Sequence, residues 1–400
     1  MISYNEALDL IYNEIGKINL GTEEIDLTES LGRVIVEDVL ADVDLPPFDN
    51  SAMDGYAIKY SGVRNRNIIG EISAGNYKEF TVGDNDAVGI TTGSKIPEGA
   101  DSVIPIEDVK VENNILLIND NAVFKRGINV RPKGSDLFKD NVTVCKYTKI
   151  NPSVVATLAS CGKEKVKVFE KLKAGILVTG DELIPITEIP SGDKIRASNN
   201  YGLQSAFQSI NQEPIDYGFL NDDRNIIKEK VKSILSLDID IFVTTGGVSV
   251  GKYDFMKEVF EEAGVTKIFW KVNIKPGMPF YFGVYETINK HILVFGLPGN
   301  PVSTLVNFYI FIEPVIRKLM KQRAKDIYTA TLQNGIKKND GKKHFSRGII
   351  VSGIDGWEVT AHSSQSSGNY FELGNANCLI ITDEEKQNPK KGDLVKCILI

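Results

Sequence analysis

A chain of 400 residues with 42% hydrophobic and 25% charged content is long enough for several domains, each with a buried core. Its formal net charge of −7 argues against broad adhesion to nucleic acid or anionic membrane, and leaves room for a local basic pocket that takes an anionic substrate.

The first twenty residues, MISYNEALDLIYNEIGKINL, carry acidic side chains early and no uninterrupted apolar segment. Neither a signal peptide nor a membrane span is expected, and a cytoplasmic location follows. Ile2, Ala7, Leu8, Ile11 and Ile15 repeat with a helical period. Between residues 45 and 140, many short β-like runs are separated by Gly, Pro and Asn, which implies a β-rich domain inserted into or beside a smaller one.

From about residue 170 to 322, β-rich runs alternate with helical patterns, the sign of a parallel sheet flanked by helices. Strands are expected at 174–178, 215–219 and 239–245, the last apolar enough to be covered on both faces. Ser198 suits the cap of a helix running to about Ile210, and a second helix is expected over Arg224–Leu235. Asp254 suits the cap of a helix carrying Met256, Val259, Phe260 and Ala263 on one face, ended by Gly264. Further strands are expected at about 268–275, 279–285 and 291–296, then a long apolar helix over Val302–Met320. After Arg323, the runs RGIIVSG, GWEVTAH and CLIITDEE imply a compact C-terminal β-domain, with SSQSSGN (363–369) as a mobile loop.

The four cysteines, Cys145, Cys161, Cys378 and Cys397, form no C-x-x-C pair and read as small buried apolar residues. Three histidines leave little for an imidazole metal site or a Ser-His-Asp triad. Any metal should therefore be hard and oxygen-bound, with Mg2+ held by carboxylates and substrate phosphate as the natural choice.

Ligands of open α/β sheets sit beyond the carboxyl ends of the strands. Four loops there carry chemistry: TGDEL with Asp181 and Glu182, NDDR with Asp222 and Asp223, TTGGVSVGKYD, and GLPGNP with Asn300. Each alone reads as turn chemistry, but turns do not require acidic and glycine-rich loops to cluster on one rim. TTGGVSVGKYD nearly matches a P-loop, yet Tyr253 replaces the Ser or Thr that would hold magnesium, so an NTPase of that class is disfavoured. Gly246, Gly247 and Gly251 still suit a backbone cradle for an anion. In FWKVNIKPG, Lys271 and Lys275 are expected on one strand face beside the same rim. Carboxylates for magnesium and lysines for phosphate imply phosphoryl or nucleotidyl chemistry. Two stretches outside the sheet, the polar and aromatic LPPFDNSAMDGYAI (45–58) and TTGSKIPEGADSVIPIED (91–108), of the same loop-and-turn character, fit either a turn network or a ligand.

Taken together, LPPFDNSAMDGYA, TGSKIPEGAD, VTGDEL, TTGGVSVGKYD, FWKVNIKPG and GLPGNPVS, in that order, closely resemble the molybdopterin molybdenumtransferase family, bacterial MoeA and the E domain of gephyrin. The resemblance spans essentially the whole chain. It implies the last step of molybdenum cofactor synthesis, in which adenylylated molybdopterin is cleaved with Mg2+, molybdate enters the dithiolene and AMP leaves. The positions that carry over as catalytic are Asp54, Thr92, Asp136, Glu182, Asp222, Asp254, Lys271 and Lys275, with Glu182, Asp222 and Asp254 as metal ligands. Gly246, Gly247, Ser249, Gly251, Pro298, Asn300, Pro301 and Ser303 would bind the cofactor precursor, with Lys275 and Ser303 touching molybdate.

Ser94 stands where Ala is usual in the family, Ser135 where Glu is frequent, and either of Asp222 and Asp223 could face the site. The implied fold is a central α/β domain with a mostly parallel sheet (171–322), an N-terminal linking domain (1–44 and 141–170), an inserted β-rich domain (45–140) and a C-terminal β-barrel (323–400). The implied assembly is a homodimer with a composite active site. Small-molecule substrates are expected, along with contacts to other cofactor-biosynthesis proteins, and neither nucleic acid nor membrane. An adenylyltransferase that makes the adenylylated pterin would need the α/β domain alone, whereas this chain adds LPPFDNSAMDGYA and a C-terminal domain. A gephyrin-like scaffold is the other alternative, against which the full set of carboxylates and lysines stands.

Overall fold

The computed structural model describes residues 1–247 and 255–400, so Ser249, Gly251 and Asp254, with the helix cap expected at Asp254, lie outside the described residues. Two units emerge, one of Met1–Glu24, Gly32–Val36 and Lys167–Ile400, the other of Ile25–Leu31 and Glu37–Val166.

The first unit is built on a six-stranded sheet in the order Ile215–Leu220, Ala174–Thr179, Ile241–Thr245, Lys290–Leu297, Tyr281–Thr287, Val265–Trp270. The first four strands are mutually parallel, and Tyr281–Thr287 runs antiparallel to both of its neighbours. Strand alternation divides the side chains between two layers. Ile176, Val178, Ile241, Val243, Leu293 and Phe295 enter one core, whereas Leu177, Phe242, Ile292 and Val294 enter the other beneath the helices Arg224–Ser236 and Met256–Glu262. Both faces are thus covered, which is why these strands are apolar almost throughout.

The N-terminal helix, Tyr4–Ile15, is capped by Ser3 and buries Ala7, Ile11 and Ile15 in the first of these cores. The expected single helix over Val302–Met320 is instead a helical run interrupted by one wide turn: α-helix at Pro301–Asn307, π-helix at Phe308–Ile312, then α-helix at Glu313–Leu319. Pro314 explains the change. It has no N–H to donate to the carbonyl of Ile310 one turn earlier, so the α-pattern cannot pass through it undisturbed. The Tyr4 hydroxyl donates to that carbonyl at 3.1 Å, joining the N-terminal helix to the sheet's helical cover.

The strand expected at 268–275 is also corrected. It ends at Trp270, Lys271 follows with φ at +71°, and Ile274–Lys275 forms a separate short strand parallel to Lys343–His344. Lys271 and Lys275 therefore do not share a strand face.

The C-terminal region closes into a five-stranded barrel: Lys343–Gly353, Gly356–Ala361, Tyr328–Leu332, Leu394–Leu399, Cys378–Thr382 and back to the first. Of the four cysteines, Cys161, Cys378 and Cys397 are buried, while Cys145 is exposed, contrary to expectation. Phe345 and Leu379 of the barrel belong to the same apolar core as Phe280 and Phe311.

The second unit has its own six-stranded sheet, ordered Ser102–Pro105, Gly55–Ile58, Asp86–Ile90, Asn65–Ile72, Ile115–Ile118, Val109–Glu112. Among the described residues, no helix is long and apolar enough to cross a membrane.

Tyr4→Phe keeps the ring packing but leaves the Ile310 carbonyl, on a residue 1% exposed, without its partner. We expect a loss of about 1–3 kcal/mol in denaturant unfolding. Phe311→Ala, which removes a fully buried ring stacked 4.4 Å from Phe280, should cost more, about 3–5 kcal/mol.

Candidate active site

The carboxyl ends of the four parallel strands, Thr179, Leu220, Thr245 and Leu297, lie on one rim, because their registers align along the sheet. Val265–Trp270 points the same way, so Lys271 also emerges there. Gly246 opens the third loop at φ +95°, and a Cβ there would lie 2.2 Å from the carbonyl oxygen of Thr179. Only glycine allows this close approach of two strand ends. Gly247 follows at φ +62° and accepts a hydrogen bond from the backbone N–H of Met256.

Three carboxylates gather at the first two loops. The backbone N–H of Asp222 donates to Asp181 Oδ1 at 2.9 Å, and Glu182 folds over Gly180, where a Cβ would lie 2.6 Å from its Oε2. Asp222 Oδ1 is buried without a hydrogen-bond partner, and the buried Thr179 hydroxyl beside it gives only a weak contact outside ordinary hydrogen-bond geometry. Burial, then the charges of Asp181 and Glu182, push the Asp222 carboxyl above the usual carboxylate range. Asp223 has a different job: its Oδ1 accepts from the backbone N–H groups of Asn225 and Ile226 and caps the helix Arg224–Ser236. Of the two aspartates, Asp223 is thus engaged at the helix start and Asp222 lies beside Asp181.

The loop after Lys290–Leu297 separates two clefts. One, of about 480 Å³, is bordered by Glu182, Asn199, Asn300, Pro301 and Tyr370. The other, of about 640 Å³, is bordered by Lys275, Pro298, Asn300, Ser303, Lys342 and Ser367. Asn199 Nδ2 donates to Gly299 O at 2.8 Å, and the Thr304 hydroxyl donates to Pro298 O at 2.7 Å, fixing the loop between the clefts. One carboxylate, Glu182, and one guanidinium, Arg196, thus border the first cleft, and the ammonium groups of Lys275 and Lys342 the second. Lys271 borders neither; its Nζ lies 3.9 Å from the centre of the Trp270 ring. Among the described residues, no three His, Cys, Asp or Glu side chains converge closely enough to hold a metal by themselves.

Sequence reading missed the contribution of residues 363–370. Far from loose, this segment is held by Arg347, 1% exposed, whose guanidinium donates to the carbonyls of Ser364, Ser366 and Asn369. Gln365 bonds back to the Arg347 backbone in both directions, and His362 Nδ1 lies 2.6 Å from Glu372 Oε2. Ser367 Oγ accepts from Asn300 Nδ2 at 3.2 Å, and the Tyr370 hydroxyl pairs with Ser198 Oγ at 2.5 Å. Ser198 thus precedes its helix without the expected side-chain cap bond. The density of hydroxyl and amide groups in SSQSSGN was the available signal; only its anchoring by a distant arginine was invisible.

In the second unit, the two odd loops meet. Asp54 Oδ1 accepts from the Thr92 backbone N–H at 2.6 Å and from its hydroxyl at 2.8 Å, holding the exposed carboxyl below the usual range. Asn50–Ser51 pairs with Val130–Arg131, Gly93 N–H donates to Ser51 O, and Asp136 N–H to Leu45 O, so the segments bearing Asp54, Thr92 and Asp136 form one backbone network. Ser94 is accommodated, buried and 2.9 Å from the Thr91 hydroxyl, and Ser135 approaches Asp136 Oδ1 at 3.4 Å.

Because the Asp222 carboxyl is raised in the folded state, its contribution to stability is full below the unfolded-state pKa and is lost as pH rises through the folded one. Asp222→Asn should therefore raise the unfolding midpoint at neutral pH, with the difference from wild type vanishing below about pH 4. Asp223→Ala should instead lower stability by about 1 kcal/mol through the lost cap.

Three family models cover most of the chain: the MoeA N-terminal region (domain I and II) over residues 2–162, the "Probable molybdopterin binding domain" over 175–318, and the MoeA C-terminal region (domain IV) over 329–400. The chain is 35% identical to the molybdopterin molybdenumtransferase of Haemophilus influenzae over 381 residues, 94% of this chain and 93% of that protein. It is 31% identical to the enzyme of that name from Nostoc sp. over 395 residues, 95% of this chain and 90% of that protein. The crystal structure of the molybdopterin biosynthesis MoeA protein from Pyrococcus horikoshii OT3 superposes with a TM-score of 0.85 at 31% identity, covering 100% of both chains. With its sheet, barrel and rim loops matched along their whole length by these relatives, the chain belongs to the MoeA family of molybdopterin molybdenumtransferases.

Proposed function

We propose that this chain catalyses the final, molybdenum-inserting step of molybdenum cofactor synthesis: adenylylated molybdopterin is cleaved, molybdate enters the dithiolene, and AMP is released. The observation that carries this reading is the gathering of Asp181, Glu182 and Asp222 at the first two rim loops, with a lysine-bordered cleft beyond the 298–301 loop. A nucleotide ester and an oxyanion require those two environments side by side.

A magnesium ion fits the carboxylate side. The donors there are oxygens, and Asp222 Oδ1 is buried without a partner in a field of two further carboxylates, where a cation would relieve both the lost hydration and the repulsion. Asp222 and Glu182 would hold it, with Asp254 completing the set. When bound, it supplies positive charge that neutralises the phosphate oxygens of the substrate. Gly246 and Gly247 present the backbone at the same rim, and Asn300 and Pro301 shape the loop that separates the nucleotide from the oxyanion.

On the other side, Lys275 and Ser303 suit molybdate, a dianion that favours ammonium and hydroxyl donors. Lys342 and Ser367 add donors of the same kinds. Lys271 would need to leave the Trp270 ring to reach an anion, so its role is to shift the local potential, or to swing in on binding.

Asp54, Thr92 and Asp136 act in this reading by completing the site of a second copy of the chain, in a homodimer. Support comes from their exposure together with that of Phe48 (37%), Met53 (40%) and Phe138 (61%), a mixture of carboxylate and uncovered apolar surface suited to burial in an assembly. The location implied by this chemistry is the cytoplasm, where the other enzymes of a cofactor pathway would meet it.

The decisive measurement is AMP release from adenylylated molybdopterin in the presence of molybdate and magnesium. Asp222→Ala and Asp54→Ala chains should each be inactive alone. Co-expressed, they should recover about a quarter of wild-type activity, because about half of random dimers are mixed and each mixed dimer holds one intact site. Zero recovery, with mixed dimers verified by mass spectrometry, would overturn the shared site. Wild-type AMP release by the Asp222→Ala chain alone would overturn the carboxylate assignment.

A further inference from the structure

Behind Lys275 stands a carboxylate that borders neither cleft. Asp340 Oδ2 lies 3.7 Å from Lys275 Nζ. Its other oxygen is held twice, by His344 Nε2 at 2.6 Å and by the Lys342 backbone N–H at 3.3 Å. His344 is 4% exposed and is the register partner of Lys275 where Ile274–Lys275 pairs with the barrel.

The segment bearing Asp340 is anchored from below. Lys338, 1% exposed, donates from Nζ to the carbonyls of Asp340, Glu384 and Lys386, at 3.3, 2.9 and 2.9 Å. Asn273 Nδ2 donates to Gly341 O at 2.8 Å. A buried ammonium ringed by carbonyls fixes a turn rather than a ligand. Asp340 is therefore a fixed charge, not a swinging side chain.

The charge states agree with this geometry. Burial pushes the Asp340 carboxyl up, but the hydrogen bond and charge of His344, the Lys342 N–H and the charge of Lys275 together leave it below the usual carboxylate range. Burial pushes His344 down against the pull of Asp340, with Lys275 and Lys338 also opposing its protonation. His344 Nε2 thus meets one oxygen of a carboxylate whose other oxygen faces the lysine.

We infer that Asp340 is a built-in counter-ion that competes with the incoming oxyanion for Lys275 and so sets how tightly the 640 Å³ cleft binds it. The inference rests on Lys275 being an oxyanion contact in the proposed function. Asp340 is a positioning residue: it meets the lysine and not the substrate. Its effect is to keep oxyanion binding weak enough to reverse, since the ammonium must give up one anion to take another.

The test is isothermal titration of molybdate into the full chain at low ionic strength, using wild type, Asp340→Asn, Lys275→Ala and the double variant. Asn can keep the bonds to His344 and the Lys342 N–H, so the turn should hold. Asp340→Asn should bind molybdate about two- to fivefold more tightly, the range for a half-exposed ion pair. That gain should shrink as salt is added and disappear in the Lys275→Ala background. Asp340→Ser should tighten binding in the same direction. A merely structural role predicts weaker or unchanged binding, so either result in natively folded Asp340→Asn and Asp340→Ser overturns the inference while leaving Lys275 in place. Wild-type affinity in Lys275→Ala would instead overturn the oxyanion contact itself, and the inference with it.

Discussion

The site depends on one apolar junction. Tyr4 of the N-terminal helix packs 5.3 Å from Phe311 of the helical run and 5.2 Å from Phe345 of the barrel, and Phe311 stacks on Phe280 beside the sheet. Three pieces of chain far apart in sequence thereby share one core. Because a close-packed core transmits small displacements rather than absorbing them, the barrel cannot shift against the sheet without disturbing this junction. That rigidity lets residues 340–344 and 363–370, which belong to the barrel region, serve as walls of clefts whose floor is the sheet rim.

The π-turn at Phe308–Ile312 belongs to the same arrangement. Pro314 costs the helix a backbone bond, and the Tyr4 hydroxyl satisfies the carbonyl so released. A local irregularity is thus converted into a tertiary tie. The irregular segment lies directly after Pro301–Asn307, whose Ser303 faces the lysine-lined cleft.

Electrostatically, the rim differs on the two sides of the 298–301 loop. Asp222 bears an uncompensated carboxylate on one side, while Lys275 on the other is answered by Asp340. The two halves differ in how they await substrate. The acidic half is under strain from burial and like charge, which a cation relieves, and the basic half is already partly neutralised from within.

The sequence alone determined the elements whose information is local. Short, nearly continuous apolar runs marked the strands expected at 174–178, 239–245 and 291–296, observed at 174–179, 241–245 and 290–297, and the glycine- and acid-rich segments after them marked the rim, because both patterns are written in neighbouring residues. The loops bearing Asp54 and Thr92 stood out by composition, but only the family resemblance singled out those two residues. The tertiary structure decided everything that depends on residues distant in the chain. It divided Asp222 from Asp223, since one begins a helix and the other meets Asp181. It split the Lys271–Lys275 strand, since a barrel strand offers Lys275 a second partner. It turned SSQSSGN into a wall, since Arg347 reaches its carbonyls. Local propensity fixes φ and ψ, but which carboxylate is left without a partner, and which lysine already has one, is set by what the fold brings alongside them.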